Sequence, residues 1–372
     1  MQRAPKRLLF NYIVSIPSSK PGFFLRRRVR KILKKHGGDC FFSSATPAAV
    51  FPQSISDDGR ILLNGYSIGS ARECKHPHVR LWDVVKAERI GDLEYKSLEA
   101  RISGDGKIFA QSCGGGRIEV IDLASMKVRA TMEGHRNKLA QFWGLTLNYD
   151  GTIIASCGDN HDRISDGSCR IWNTLTGECL GVASNDLGNF HQSVFSMNRS
   201  GSFLASACSG RSNILDILDC TMSGKRGPKV LNIRESEENV FIKLKTADYP
   251  FQGATASWSS DERRIAVAGD GLNMRIFDVM TGEMVQRIQC VDRLGDVLGL
   301  HWIPESDYIF TGRTLGRFSV WDVSAGKCVK DGSVPYPGIN FLRYLKASKQ
   351  LVCVGGHEYW DFVQKVPLDL PL

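Results

Sequence analysis

The side chains best equipped for chemistry crowd one short stretch. Cys157, Asp159, His161, Asp162 and Asp166 lie there together, and His76 and His78 stand in a second stretch. Thiolate, imidazole and carboxylate are the ligand set of a transition metal. The spacing speaks against a site. The chain has 11 cysteines and no C-x-x-C pair, so neither a zinc motif nor a disulfide framework can be read from it. Residues 157–167 read as solvated turn residues, and no metal is expected. A nucleophilic triad cannot be assembled, because G-x-S-x-G is absent and no motif fixes a His and an Asp near a Ser or Cys. GGGR at 114–117 joins two strands instead of opening a helix, so it cannot cradle a phosphate. The expectation is a protein that is not an enzyme and needs no cofactor.

The elements that carry these residues repeat. ILLNGY from Ile61, IFAQSC from Ile108, IIASCG from Ile153, FLASAC from Phe203, IAVAGD from Ile265, IFTGRT from Ile309 and LVCVGG from Leu351 are alike. The residues just before them (Gly59, Gly106, Gly151, Gly201, Arg263, Asp307, Lys349) are 47, 45, 50, 62, 44 and 42 apart. Turns such as SDDGR (56–60) and SGDGK (103–107) precede the runs and supply the positive φ of a tight hairpin. Six runs lead to a second one ending near an aromatic–Asp pair, for example HVRLWDV (78–84) and RFSVWDV (317–323). A period in the forties with four short strands per unit is the sign of a propeller blade. The fold class is therefore all-β, a seven-bladed propeller. Cys113, Cys157, Cys208 and Cys353 recur at one point of four repeats, where a small thiol packs in place of Ala or Ser. Free buried thiols fit a reducing, intracellular compartment.

The units resemble WD40 repeats over about residues 29–366. Trp-Asp stands at Trp82-Asp83 and Trp321-Asp322, softened to Trp172-Asn173 and Phe277-Asp278, and Gly-His stands at Gly134-His135. The resemblance implies a buried hydrogen-bonded set in the third blade, falling on His135, Ser156, Asp166 and Trp172. Trp360-Asp361 departs from the pattern. The 13-residue step of blades five and six, taken from Gln350, lands on Val363, so this dipeptide reads as coincidental. The last unit has three strands, and an open edge invites aggregation. The family's ring-closing arrangement implies that the segment 26–36, with Val29–Lys35 as the strand, supplies the fourth. The expected division is a basic arm at 1–25 and a propeller at 26–372.

Charge is segregated. Residues 1–36 hold eleven basic residues and no acidic one, leaving 37 basic against 39 acidic in the rest. Nucleic acid would therefore be met only through the arm. LRRRVRKILKK (25–35) fits a nuclear-import cluster, and the acid-free start also fits a mitochondrial presequence. Cytoplasm or nucleus is expected, with the mitochondrion as the alternative. No apolar run is long enough for a transmembrane helix.

Extra length sits at 66–78, 157–167 and 234–253, links that emerge on one face of a propeller. The first strands begin on that face with Phe51, Leu98, Trp143, Ser193, Ala254, Leu298 and Asn340. Phe51, Leu98, Trp143 and Leu298 are the expected apolar anchors for a protein or peptide partner. The function expected is a non-catalytic interaction scaffold. The alternative is an RNA-associated or organellar-ribosome component that uses the arm. An enzyme on a propeller frame would need converging acid–base groups that the sequence does not show.

Overall fold

The computed structural model describes residues 38–41, 50–68, 75–86, 88–94, 99–113, 115–135, 142–158, 168–183, 192–208, 214–220, 229–234, 255–268, 273–289, 297–334, 338–357 and 360–370. Their strands form four-stranded antiparallel sheets, each but the last built from consecutive strands. After β1 (Gly38–Phe41), the first sheet holds β2 (Val50–Ile55), β3 (Ile61–Ile68), β4 (Lys75–Asp83) and β5 (Glu88–Glu94). The second holds β6 (Ala100–Ile102), β7 (Ile108–Cys113), β8 (Arg117–Asp122) and β9 (Lys127–Glu133). The third holds β10 (Phe142–Leu147), β11 (Ile153–Gly158), β12 (Cys169–Asn173) and β13 (Cys179–Ala183). The fourth holds β14 (Gln192–Met197), β15 (Phe203–Cys208), β16 (Ile214–Asp219) and β17 (Lys229–Arg234). The fifth holds β18 (Thr255–Trp258), β19 (Arg264–Ala268), β20 (Asn273–Asp278) and β21 (Met284–Gln289). The sixth holds β22 (Val297–Trp302), β23 (Tyr308–Arg313), β24 (Arg317–Asp322) and β25 (Lys327–Ser333). The last holds β26 (Phe341–Leu345), β27 (Gln350–His357) and β28 (Trp360–Pro367), with β1 as its outer strand. The architecture is an all-β propeller.

Two side-chain devices explain the turn sequences. Ser56, Ser103 and Ser259 each accept the backbone N–H five residues on, at 2.9, 3.0 and 2.9 Å, and donate to the Asp two residues on, at 2.5, 2.7 and 2.6 Å. Asn148 and Asn198 accept in the same way at 3.0 and 2.9 Å. The chain then reverses through left-handed backbone, at Gly59 and Gly106 with φ of 70° and 72°. The last residue of the third strand governs the turn into the fourth. Asp83, Asp122, Asp278 and Asp322 accept N–H groups of Lys86, Ser125, Thr281 and Ala325 at 3.0, 2.8, 2.8 and 2.9 Å. An aromatic–Asp pair recurs because the aromatic fills the core while the carboxylate holds the turn.

Neighbouring sheets bury a shared core. Leu63, Val79 and Leu81 of the first meet Ala100, Ile102 and Phe109 of the second. Ile108, Ile118 and Val120 of the second meet Leu145, Ile154 and Trp172 of the third. Ile55, Leu62 and Val84 of the first also pack with Val352, Val354 and Val363 of the last.

Three expectations need correction. The strand outside β28 is not Val29–Lys35. Gly38 pairs with Gln364 and Phe41 with Asp361, so that edge is already taken, and 26–36 lies outside the described residues. Val29–Lys35 would have set four cations along one strand, whereas Gly-Asp-Cys-Phe sets none. Second, the repeat's aromatic position in the last sheet is Val366, not Val363. Leu351 pairs with Val366 as Ile309 pairs with Trp321, because the β27–β28 ladder runs longer. Trp360 stands six residues earlier, opposite His357. Third, much of 66–78 is strand: Tyr66 pairs with His78 and Ile68 with Lys75.

Candidate partner-binding surfaces

Each inner strand has a loop end, where it begins, and a hairpin end, where it turns into the second strand. Phe51, Trp143 and Leu298 stand at the loop ends of β2, β10 and β22. The side chains of Phe51 and Trp143, and the whole of Leu98, lie outside the described residues, as do 159–167 and 235–254 of the long links. Trp143 is skipped by the β10–β11 ladder, which passes from Phe142↔Gly158 to Gly144↔Cys157. Leu298 is skipped in the same way between Val297↔Arg313 and Gly299↔Gly312, and Ser193 between Gln192↔Cys208 and Val194↔Ala207. All three precede the last residue of their strand by the same interval. An extra residue bends its strand and re-aims its side chain. Leu298 is half-buried, with Cδ1 3.0 Å from where a side chain on Gly338 would begin.

Three members of the expected buried set meet in the third sheet. Trp172 Nε1–H donates to Ser156 Oγ at 2.8 Å, and the same hydroxyl shares a hydrogen bond with His135 Nε2 at 2.8 Å. All three side chains are buried, so the polar atoms are satisfied at little net cost. Asp166 lies outside the described residues. The sixth sheet carries a reduced version, in which Trp321 Nε1–H donates to Thr311 Oγ1 at 3.0 Å. Cys113, Cys157, Cys169 and Cys353 are buried in their strands, while the side chain of Cys208 is outside the described residues.

The hairpin end holds a feature that the sequence reading passed over. A cavity of about 230 Å³ opens there, lined by inner-strand residues of every sheet. One structurally equivalent position dominates it, the residue before the partner of each second strand's second residue. It is occupied by Ser54, Arg101, Thr146, Ser196, Ser257, His301 and Arg343, all polar. Where the residue is serine it can stitch adjacent sheets. Ser54 Oγ accepts Ile102 N–H at 3.2 Å, and Ser257 Oγ accepts Trp302 N–H at 2.8 Å. Arg343 stitches the last sheet to the first, donating Nε to the Ser56 carbonyl at 3.2 Å and pairing with Asp57 at 3.4 Å. Arg101 pairs with Glu99 at 2.7 Å. Burial lowers the Arg343 pKa, opposed by Asp57 and Asp58. Burial, and then the Arg343 charge, hold His301 well below the ordinary imidazole value, so it is neutral near pH 7. The signal was available: in five repeats a polar residue stands two before the Ser or Asn of the hairpin.

Among the described residues no group of three His, Cys, Asp or Glu could hold a metal ion. Nor is any helix of those residues long and apolar enough to cross a membrane. A family model described as WD domain, G-beta repeat matches residues 126–173. Eukaryotic translation initiation factor 3 subunit I of Drosophila ananassae is 22% identical over 230 residues, 59% of this chain and 62% of that protein. The same subunit of Drosophila mojavensis and of Drosophila pseudoobscura pseudoobscura is 22% identical over 232 residues, with the same shares. The similarity thus spans 62% of these relatives' length. The matched repeat runs from the outer strand of one sheet through three strands of the next and contains the His135–Ser156–Trp172 set, so this stretch is a WD40 repeat set in an all-β propeller.

Proposed function

We propose that this chain is a non-catalytic scaffold that docks protein partners at the loop end of its propeller. The observation that carries the reading is the shared bulge at Trp143 and Leu298. Both residues are apolar and released from the ladder where inner strands begin, and bulky apolar groups supply most of the energy of protein interfaces. Phe51 and Leu98 complete the proposed anchor set. The frame of the reading is a ring of seven blades closed between the first and last sheets. Its support is the packing of Ile55, Leu62 and Val84 on Val352, Val354 and Val363, and the cavity lined from every inner strand.

The relatives' name, a subunit of an initiation factor, supports membership of a multisubunit assembly and a cytoplasmic working place. Affinity purification of the tagged chain should recover the subunits of one such assembly, and recovery of chaperones alone would count against it. Trp143→Ala should abolish that recovery while the melting curve stays near wild type. An unfolded variant would make Trp143 a core residue. A folded variant that retains every partner would move the surface elsewhere. The eleven basic residues of 1–36 support a second reading, contact with RNA through the arm. Deleting them should then remove salt-sensitive retention on RNA and leave the propeller folded.

A further inference from the structure

We propose that the cavity at the hairpin end is a carboxylate-binding site, in which Arg101, Arg343 and His301 receive an acidic side chain or chain terminus of a protein partner. The equivalent positions divide into two arcs. The sixth, last, first and second sheets contribute His301, Arg343, Ser54 and Arg101 in succession, and the other three contribute only hydroxyls. Serine at this position serves the fold, as the bonds of Ser54 and Ser257 to neighbouring strands show. Arg343 serves the fold in the same way, through the Ser56 carbonyl and Asp57, and its guanidinium also lines the cavity beside Arg101 and His301.

His301 gives the independent sign of a ligand. His301 lines the cavity, is only 6% exposed, and its Nε2 has no hydrogen-bond partner among the described residues. A buried polar nitrogen left unpaired is destabilising, and native structures rarely keep one without use. Phe310 pairs with it from β23, and Arg343 from β26 is the charged group that acts on it among the described residues.

The charge balance selects the class of anion. Three guanidiniums line the cavity: Arg101, Arg199 and Arg343. Arg101 pairs with Glu99 and Arg343 with Asp57, whereas Arg199 lies 3.3 Å over the Tyr149 ring with no carboxylate partner among the described residues. Glu99, Asp57 and Asp58 offset most of this charge, which suits a monoanion better than a phosphate dianion. The planar fork of arginine also matches a carboxylate. The site extends the scaffold reading to the opposite mouth, and the two can fail separately, since Trp143→Ala tests only the loop end.

Titration of the full chain with a fluorescein-labelled penta-glutamate peptide, followed by anisotropy, tests the assignment. Wild type should bind saturably, and Arg101→Gln should weaken binding at least about tenfold, the loss of one charge-assisted pair. Arg101→Lys keeps the charge and gives a second reading if the Gln variant melts early. A bound carboxylate favours the imidazolium, so wild-type affinity should rise from about pH 7 to about pH 5, and His301→Gln should flatten that rise. Absence of saturable binding by wild type would overturn the proposal. So would unchanged binding by folded Arg101 and His301 variants, or stronger displacement of the peptide by inorganic phosphate than by free glutamate at equal concentration.

Discussion

One hydroxyl holds the centre of the third sheet. Ser156 Oγ receives the Trp172 indole and contacts His135 Nε2, each at 2.8 Å, and Trp172 is 1% exposed. Trp172→Ala would open a cavity and unpair that network, a loss of about 3–5 kcal/mol, read as a lower melting temperature or denaturant midpoint. A midpoint equal to wild type would show that the set carries no stability. The buried thiols make a second test at this scale. Burial pushes the Cys353 thiol far up, and burial with the nearby Asp331 carboxylate pushes Cys328 to about 11. Cys169 is raised by its hydrogen bond to Cys157 and by burial. The thiolate is the reactive form, so the buried Cys353 and Cys169 should resist iodoacetamide until the protein unfolds. Rapid native labelling of these positions, read by peptide mass mapping, would contradict their placement. His135, Ser156 and Trp172 were legible in the sequence because a repeat motif marks them. The channel residues were not. Arg101, His301 and Arg343 converge only once the sheets are assembled, and each alone is an ordinary polar residue in a strand.

At the scale of elements, turns were easier to read than registers. Ser56, Ser103 and Ser259 sit where the hairpins were expected, and the aromatic–Asp pairs end third strands as the spacing implied. Local hydrogen bonds fix such turns, so a few residues contain the whole instruction. The bulges at Trp143 and Leu298 had no local mark, because a skipped residue is decided by pairing across the sheet. Position 366 was missed for the same reason: the long β27–β28 ladder moved the equivalent of Trp321 three residues past Val363. The Asp turns give this scale its prediction. Backbone N–H donors, chiefly Ser125 at Asp122 and Thr281 at Asp278, hold both carboxyls below the ordinary aspartate value. Their folded pKa values therefore lie below the unfolded ones. The stability they confer is complete above about pH 4 and is lost as pH falls through the lower, folded values. Thermal melts between about pH 6 and about pH 2.5 should show a steep loss below about pH 4. Asp122→Asn with Asp278→Asn should make that loss shallower, and an unchanged profile would remove these turns from the cause.

For the molecule as a whole, the decisive element is four residues long. β1 pairs with β28 from Gly38↔Gln364 to Phe41↔Asp361 and so covers the outer edge of the last sheet. That an N-terminal strand would do this was legible from the three strands of the last unit. Which strand was not, because the apolar residues Val29, Ile32 and Leu33 make 29–35 look more strand-like than Gly-Asp-Cys-Phe. Charge reverses the preference: a run with four cations repels itself along an edge, and β1 needs only backbone bonds from a short strand. The two placements make opposite predictions for truncation. A chain beginning at residue 37 keeps β1 and should remain soluble with a melting temperature close to that of the full chain. A chain beginning at residue 46 loses β1 and bares the β28 edge, whose unpaired backbone groups are a template for another chain. It should melt at least about 1 °C lower, or aggregate, since the lost ladder bonds amount to more than about 1 kcal/mol. If removal of 1–36 alone produced the aggregating protein, the basic segment would be the closing element after all, and β1 would be only its continuation.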